Sequence, residues 1–179
     1  MKTIFLLRHA KSSWDDPVER DFDRPLNARG RRAAETIGRY LRDESLGFDR
    51  VVASPAVRVI ETLDGIEAGA GRRLGATFDK RVYMASAPTL LDIVHETDAE
   101  AETLLLVGHN PGLEDLIFLL TPDGSGPLRK EVDIKYPTAT LAEMRFDVAR
   151  WEEIDERGGE LVRFIRPRDL DPTLGPDGT

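Results

Sequence analysis

Residues 103–112 read TLLLVGHNPG, a short apolar run that stops at a Gly-His-Asn-Pro-Gly segment. The apolar part, 103–107, is too short for a helix, and runs rich in Leu and Val are typical of strands covered on both faces. Two more runs of this kind occupy residues 3–7 and 50–53. Because a helical pattern follows each run, we expect an α/β fold, a three-layer α/β/α sandwich around a mainly parallel central sheet.

Capping residues predict where the helices begin. Asn27, Ser54 and Asn110 each precede an apolar pattern at helical spacing, and a proline follows the last two. Asn and Ser side chains accept hydrogen bonds from a first helical turn, and proline suits that turn. Residues 86–97 predict a further helix.

The last third of the chain differs in pattern. Apolar and charged residues alternate over 142–146, which predicts a half-buried strand, and 161–165 is the expected partner. We therefore expect an antiparallel addition to the sheet. The 179 residues fit one domain over 1–166, and the Pro-, Gly- and Asp-rich segment 167–179 is expected to be a C-terminal tail on the surface.

Composition excludes several classes of protein. Lys and Arg number 25 against 33 Asp and Glu, a net charge of −8, which argues against binding to nucleic acid or an anionic membrane. The apolar start ends at Arg8, too early for a signal peptide, and no run approaches a membrane span. The absence of cysteine excludes disulfides and thiol chemistry. We expect a cytoplasmic protein; nothing in the sequence indicates its oligomeric state.

Charged side chains follow the predicted strands. Arg8 and His9 end the first strand, Arg58 lies one helical turn after the second, and His109 follows the third. Ligands of open α/β sheets bind at the carboxyl ends of the strands, so these residues should share one pocket. Two guanidinium groups, two imidazoles and nearby helix N-termini suit a tetrahedral dianion, most simply a phosphoryl group.

The remaining histidine, His95, raises the alternative of a three-histidine zinc site. Two arginines in the same pocket would repel a cation, so we expect no metal and no cofactor, and we assign His95 to a helix face. With no cysteine and no Gly-x-Ser-x-Gly segment, the candidate nucleophile is His9. His109 is the candidate hydrogen-bond donor to the phosphoryl oxygens.

Three motifs carry a resemblance to a known family, the histidine phosphatase superfamily, which has the phosphoglycerate mutase-like fold. Residues 7–11 (LRHAK) resemble its Arg-His-Gly signature, 54–62 (SPAVRVIET) its second-arginine motif, and 108–111 (GHNP) its late histidine motif. The resemblance extends from residue 3 to about residue 146. Residues 8–14 (RHAKSSW) and 23–26 (DRPL) are similar to the SixA-type phosphohistidine phosphatase branch.

The resemblance implies a two-step hydrolysis. His9 would attack phosphorus and become a phosphohistidine that water then hydrolyses, while Arg8, Arg58 and His109 would hold the phosphoryl oxygens. The further substrate-binding residues implied are Ser12, Lys11 and Asn110. The preferred substrate is a phosphohistidine-bearing protein.

One departure from the family pattern bears on the reaction. The mutases of this family carry a proton-donating Glu where this chain has Lys80, which disfavours a mutase because an alkoxide leaving group needs a proton. Asp79 is the candidate substitute acid. A small-metabolite phosphomonoesterase and a noncatalytic phospho-ligand binding module remain as alternatives.

Trp14 lies in a polar loop between the first strand and the first helix. We expect this loop to fold over the pocket as a lid. We expect the Trp14 side chain to be a buried anchor for this loop, in preference to a position on the rim of the substrate site.

Overall fold

Six strands and six helices make up the computed structural model, which describes residues 1–175. The strands are β1 (Lys2–Arg8), β2 (Arg50–Ala53), β3 (Thr77–Phe78), β4 (Thr103–Gly108), β5 (Leu141–Phe146) and β6 (Gly159–Ile165). The helices are α1 (Ala28–Asp43), α2 (Val57–Ala70), α3 (Ala87–His95), α4 (Gly112–Leu120), α5 (Pro127–Ile134) and α6 (Pro167–Leu170). Four 3-10 turns occupy Asp21–Asp23, Lys80–Val82, Trp151–Glu153 and Pro172–Leu174.

All six strands belong to one sheet, in the order β3-β2-β4-β1-β5-β6. The first four strands in that order run parallel to one another, whereas β5 is antiparallel to both of its neighbours, β1 and β6. This confirms the expected parallel sheet with a late antiparallel addition. The two-residue strand β3 and the helix α5 were not predicted.

The strand register positions the pocket. Arg8 lies opposite Gly108 in the β1–β4 pairing, and Ala53 lies opposite Val107 in the β2–β4 pairing. The residues that follow these positions, His9, Ser54 and His109, therefore leave the same edge of the sheet beside one another.

Buried apolar residues on both faces of the sheet give the fold its three layers. Ile4 and Leu6 of β1 pack into a core that contains α3 and α4, while Phe5 and Leu7 pack into a second core with α1 and α2. Full burial of each such side chain contributes about 1.5–3 kcal/mol. A strand covered on both faces holds its ends rigidly, which suits the placement of reactive side chains.

The predicted helix starts are partly correct. Asn27 caps α1, because its side chain accepts a hydrogen bond from the Gly30 amide at 2.7 Å. Ser54 does not cap α2, which begins at Val57 without a side-chain cap. α4 begins at Gly112, and Asn110 Oδ1 accepts a hydrogen bond from the Glu114 amide in its first turn at 3.3 Å, as expected of a capping residue. The Ser54 side chain instead contacts His109 at the edge of the sheet.

Residues 167–175 pack against the rest of the chain. Pro167–Leu170 form α6, which contacts α1, and Leu174 is buried in the second core. Residues 176–179 of the expected tail lie outside the described residues. Within residues 1–175, no helix is long and apolar enough to cross a membrane.

Candidate active site

A cleft of about 610 Å³ opens at the carboxyl edge of the parallel strands. It is lined by Arg8, His9, Lys11, Ser12, Trp14, Asp21, Arg24, Arg58, Met84, His109, Asn110 and Thr138. The seven residues that the sequence assigns to the pocket all line it. Lys11 also lines a neighbouring pocket, and the amide nitrogen of Asn110 donates to the Tyr136 carbonyl at 3.1 Å.

His9 is buried and held in one orientation. Its Nδ1 lies 2.7 Å from the Ala10 carbonyl oxygen, which can only accept, so Nδ1 carries the proton and Nε2 keeps its lone pair. Burial lowers the pKa of His9 from 6.5 to about 3, and the charges of Arg8 and Arg58 add to the effect. His9 is thus a neutral imidazole with a free ring nitrogen at physiological pH.

The backbone after His9 is tied to α2. Thr62, fully buried, accepts a hydrogen bond from the Ala10 amide at 2.9 Å and donates to the Arg58 carbonyl at 2.6 Å. This link fixes the distance between the end of β1 and the first turn of α2. It therefore fixes the imidazole of His9 relative to the guanidinium of Arg58.

His109 faces His9, with their ring centroids 5.3 Å apart. Its Nε2 lies 2.8 Å from Ser54 Oγ, and its Nδ1 lies 3.3 Å from Nη2 of Arg58. Because a guanidinium can only donate, Nδ1 is the acceptor and Nε2 carries the proton. Burial and the charge of Arg58 lower the pKa of His109 from 6.5 to about 4.

Ser54 is a site residue that the sequence analysis assigned to a helix cap. Its side chain is fully buried, and Oγ accepts from both His109 and the Ala56 amide. It fixes the tautomer and orientation of His109. The Ser-Pro pair suggested a cap more strongly than a histidine partner, because that partner is 55 residues away.

The arginines of the cleft retain donors for a ligand. Arg8 uses Nη1 to donate to the Tyr136 carbonyl at 2.9 Å, and Arg58 donates from both terminal nitrogens to Asp21. Within residues 1–175, the Nε atoms of both arginines are buried without a hydrogen-bond partner. An unpaired buried guanidinium donor is costly, and both guanidinium groups keep their positive charge at a cleft that an anion could enter.

Asp21 and Arg24 form a second group that the sequence analysis did not assign to the pocket. The Asp21 carboxylate accepts hydrogen bonds from Arg58 at 2.9 Å, from Tyr83 at 2.9 Å and from Arg24 at 3.0 Å. Partial burial alone would raise the pKa of this carboxyl, but these hydrogen bonds lower it to about 2. The contacts hold the β1–α1 loop against the cleft, as expected for a loop that folds over the pocket.

Arg24 adds a third guanidinium to the cleft. It is buried, and its Nε and Nη1 have no hydrogen-bond partner within residues 1–175. The Asp-Arg-Pro-Leu motif marked this residue in the sequence, but a loop residue without strand or helix periodicity gave no sign of where its side chain would lie. The fold of the loop decides its position.

The start of α1 lies very close to this loop. A Cβ on Gly30 would come within 2.1 Å of the Lys11 carbonyl oxygen, so only glycine allows the approach. Lys11 also accepts a backbone hydrogen bond from the Asn27 amide at 3.1 Å. These contacts hold the segment after His9 in place.

Trp14 is not the buried anchor that the sequence analysis preferred. Its side chain is 79% exposed and lines the cleft, so it lies on the rim. The guanidinium of Arg24 covers part of the ring at 3.8 Å from its centroid. The loop is anchored by ion pairs and hydrogen bonds instead of by an apolar side chain.

Asp79 is not placed to act as the substitute acid. It pairs with Arg81 at 2.8 Å and lines a different cavity. Hydrogen bonds from the Arg81 side chain hold the pKa of Asp79 below its usual range, so it stays ionised.

The third histidine is separate from the cleft. His95 ends α3, and its Nε2 lies 2.7 Å from the Ile154 carbonyl oxygen. This contact agrees with its assignment to a helix face. No group of three or more His, Asp or Glu side chains in residues 1–175 is arranged to hold a metal ion.

Comparison with known proteins places this geometry in a family. The model of the histidine phosphatase superfamily (branch 1) matches residues 4–82. An uncharacterized protein of Mycobacterium tuberculosis is 33% identical over 164 residues, which cover 90% of this chain and all of that protein.

Two solved structures are similar to the chain in both fold and sequence. Each is named as a candidate phosphohistidine phosphatase SixA, and each is 29% identical. The structure from Nakamurella multipartitia has a TM-score of 0.79 and covers 93% of this chain and 96% of its own. For the structure from Agrobacterium tumefaciens the TM-score is 0.76, and the match covers 93% of this chain and 99% of that protein. The fold, the motif order and these similarities agree that the chain belongs to the histidine phosphatase superfamily, in its SixA-like branch.

Proposed function

We propose that this chain is a metal-independent phosphatase that forms a phosphohistidine on His9, and that its preferred substrate is a phosphohistidine-bearing protein. Membership of the superfamily supports phosphatase activity in general. The observation that carries the proposed chemistry is the state of His9: a buried, neutral imidazole with a free Nε2, surrounded by guanidinium groups. A neutral ring nitrogen is a competent nucleophile toward phosphorus.

In the first step, the lone pair on Nε2 of His9 attacks phosphorus. A bond forms between Nε2 and phosphorus, and the bond from phosphorus to the leaving group breaks. The electron pair of that bond goes to the leaving nitrogen of the substrate imidazole, and the departing ring takes a proton from solvent. The Nδ1 hydrogen bond to the Ala10 carbonyl keeps Nε2 directed at the substrate and stabilises the charge that develops on the ring.

The transferring phosphoryl group is held by Arg8, Arg58 and His109. Both arginines line the cleft, and their guanidinium groups supply hydrogen-bond donors and positive charge for its oxygens. A bound dianion also favours the protonated form of His109, and its Nδ1 then donates to a phosphoryl oxygen instead of accepting from Arg58. Loss of one such contact typically lowers the rate by about 10²–10³.

In the second step, water attacks the phosphorus atom of phosphorylated His9. An oxygen–phosphorus bond forms, the bond from Nε2 to phosphorus breaks, and its electron pair returns to Nε2. The water proton leaves to solvent, and inorganic phosphate is released. Both steps use the same oxygen contacts, so a second site is not required.

The choice of substrate rests on the carboxyl groups of the cleft, because protonated His109 is engaged with a phosphoryl oxygen and not with the leaving group. Asp21 is the one carboxyl side chain among its lining residues in the described part of the chain, and its pKa of about 2 leaves it ionised. An alkoxide leaving group needs a proton donor, whereas an imidazole leaves more easily. The cleft therefore supports hydrolysis of phosphohistidine more than hydrolysis of a sugar phosphate or a mutase reaction.

The test compares turnover of a phosphohistidine peptide with a panel of sugar and nucleotide phosphates, in the presence of EDTA. We expect fast phosphate release from the peptide, weak release from the esters, and loss of activity in the matched His9→Ala variant. Faster turnover of an ester would move the substrate to small metabolites. Phosphate binding without turnover of any substrate would overturn the proposal that the chain is an enzyme and would favour a phospho-ligand binding module.

A further inference from the structure

Trp14 is an exposed aromatic side chain at the mouth of the cleft. Its side chain is 79% exposed, whereas the other tryptophan, Trp151, is fully buried and donates to the Ala101 carbonyl at 2.9 Å. Tryptophan side chains are on average highly buried, because the ring is large and apolar. An exposed tryptophan beside a reactive centre therefore needs an explanation.

A buried arginine holds the ring in place. The guanidinium carbon of Arg24 lies 3.8 Å from the ring centroid of Trp14, well within the range of a cation–π contact. Arg24 is itself only 8% exposed and is tied to the Asp21 carboxylate at 3.0 Å. One face of the ring is therefore covered by an anchored cation, while most of its surface faces solvent.

A second apolar side chain lies at the same mouth. Met84 lines the cleft and is 59% exposed. Its backbone φ is 53°, a left-handed conformation that residues other than Gly, Asn and Asp rarely adopt. Backbone strain of this kind collects at functional sites. The cleft thus has cations around His9 and apolar side chains at its mouth.

This arrangement suits a ligand with two different ends. His9 and Trp14 line the same cleft, so the carrier group of a phosphoryl group bound at His9 shares that cleft with the exposed ring. An anionic end would satisfy the arginines, and a flat apolar end would cover the exposed ring. Stacking on an aromatic side chain is a common way to hold a planar ring.

We propose that Trp14, braced by Arg24, is a specificity-determining platform on which the planar ring that carries the phosphoryl group stacks. The site then prefers phosphoryl groups carried on an aromatic ring, such as the imidazole of phosphohistidine, over those carried on an aliphatic chain. This inference rests on the proposed function only in placing the phosphoryl group at His9.

Two nonhydrolysable ligands isolate the effect of the ring. Phenylphosphonate and methylphosphonate share the charged group, and their affinities are measured by calorimetry at a pH where both are dianions. We expect the wild-type protein to prefer phenylphosphonate. Trp14→Ala should weaken phenylphosphonate about tenfold and change methylphosphonate less than about twofold. Trp14→Phe should keep most of the preference.

The matched control is Ile134→Ala, which removes an apolar side chain that is 84% exposed and does not line the cleft. It should leave both affinities unchanged. The proposal is overturned if Trp14→Ala weakens both phosphonates equally, or weakens neither.

A turnover experiment separates this proposal from the proposed function. Phosphoimidazole and phosphoramidate both contain a phosphorus–nitrogen bond, but only the first carries a ring. We expect Trp14→Ala to raise KM for phosphoimidazole by a much larger factor than KM for phosphoramidate. If the wild-type protein hydrolyses neither compound yet prefers phenylphosphonate through Trp14, the proposed function fails and the platform stands.

Discussion

Replacement of His9 by glutamine tests the claim that this imidazole is neutral in the folded protein. The pKa of His9 is lowered from 6.5 to about 3, so the folded chain stays unprotonated at this position as pH falls from 7 to 5. The unfolded chain takes up a proton over the same range. Stability rises with pH wherever the unfolded state binds more protons, so acidification lowers the free energy of unfolding.

The size of the effect follows from the two pKa values. Between pH 7 and pH 5, the proton taken up by unfolded His9 lowers the free energy of unfolding by about 2 kcal/mol. The loss continues until the pH approaches about 3, where the folded chain is protonated as well. His9→Gln removes the titrating group, so the variant should lose about 2 kcal/mol less than the wild type over this range.

Urea denaturation at several pH values measures this difference. The carboxylates contribute equally to both chains and cancel in the comparison. From pH 7 to pH 8 the two chains should keep a constant difference in stability, because unfolded histidine is mostly neutral there. Equal losses for wild type and His9→Gln between pH 7 and pH 5 would refute the reasoning, since His9 would then be protonated in the folded state.

Three further substitutions probe the site. Ser54→Ala leaves Nε2–H of His109 buried without an acceptor, so stability should fall by about 1–3 kcal/mol in thermal or urea unfolding, and kcat should fall while KM changes little. Arg58→Lys removes the two spaced donors that reach the Asp21 carbonyl oxygen and carboxylate, because a single ammonium group cannot match the planar guanidinium geometry. As a result, kcat/KM measured in steady state should fall by about 10²–10³. Gly30→Ala places a methyl group against the Lys11 carbonyl oxygen, so the free energy of unfolding measured by calorimetry should fall by about 1–3 kcal/mol.

The sequence predicts the parallel core of the fold because its signals are local. The apolar runs 3–7, 50–53 and 103–107 lie within β1, β2 and β4, and Asn27 caps α1 as expected. β3 was missed because it has two residues and is exposed, which leaves no pattern to detect. Ser54 does not cap α2 because its hydroxyl is engaged by His109, whereas Asn110 does accept a hydrogen bond from the first turn of α4.

The site shows the same division between local and long-range signals. The strand ends place Arg8, His9 and His109 in one cleft, since the register of a parallel sheet brings them together. The positions of Asp21 and Arg24 depend on how the β1–α1 loop folds back onto α2, a contact between residues far apart in the chain. No periodicity in the sequence reports such a contact.

The central claim is that His9 carries the phosphoryl group during turnover. The most direct measurement mixes the enzyme with phosphoimidazole, stops the reaction within milliseconds in alkali, and locates the phosphoryl group by mass spectrometry of peptides. The account predicts one phosphoryl group on His9, formed and lost at rates that match turnover, and none on His109. Turnover that continues in His9→Gln, with no phosphoryl group on His9 in the wild type, would contradict it.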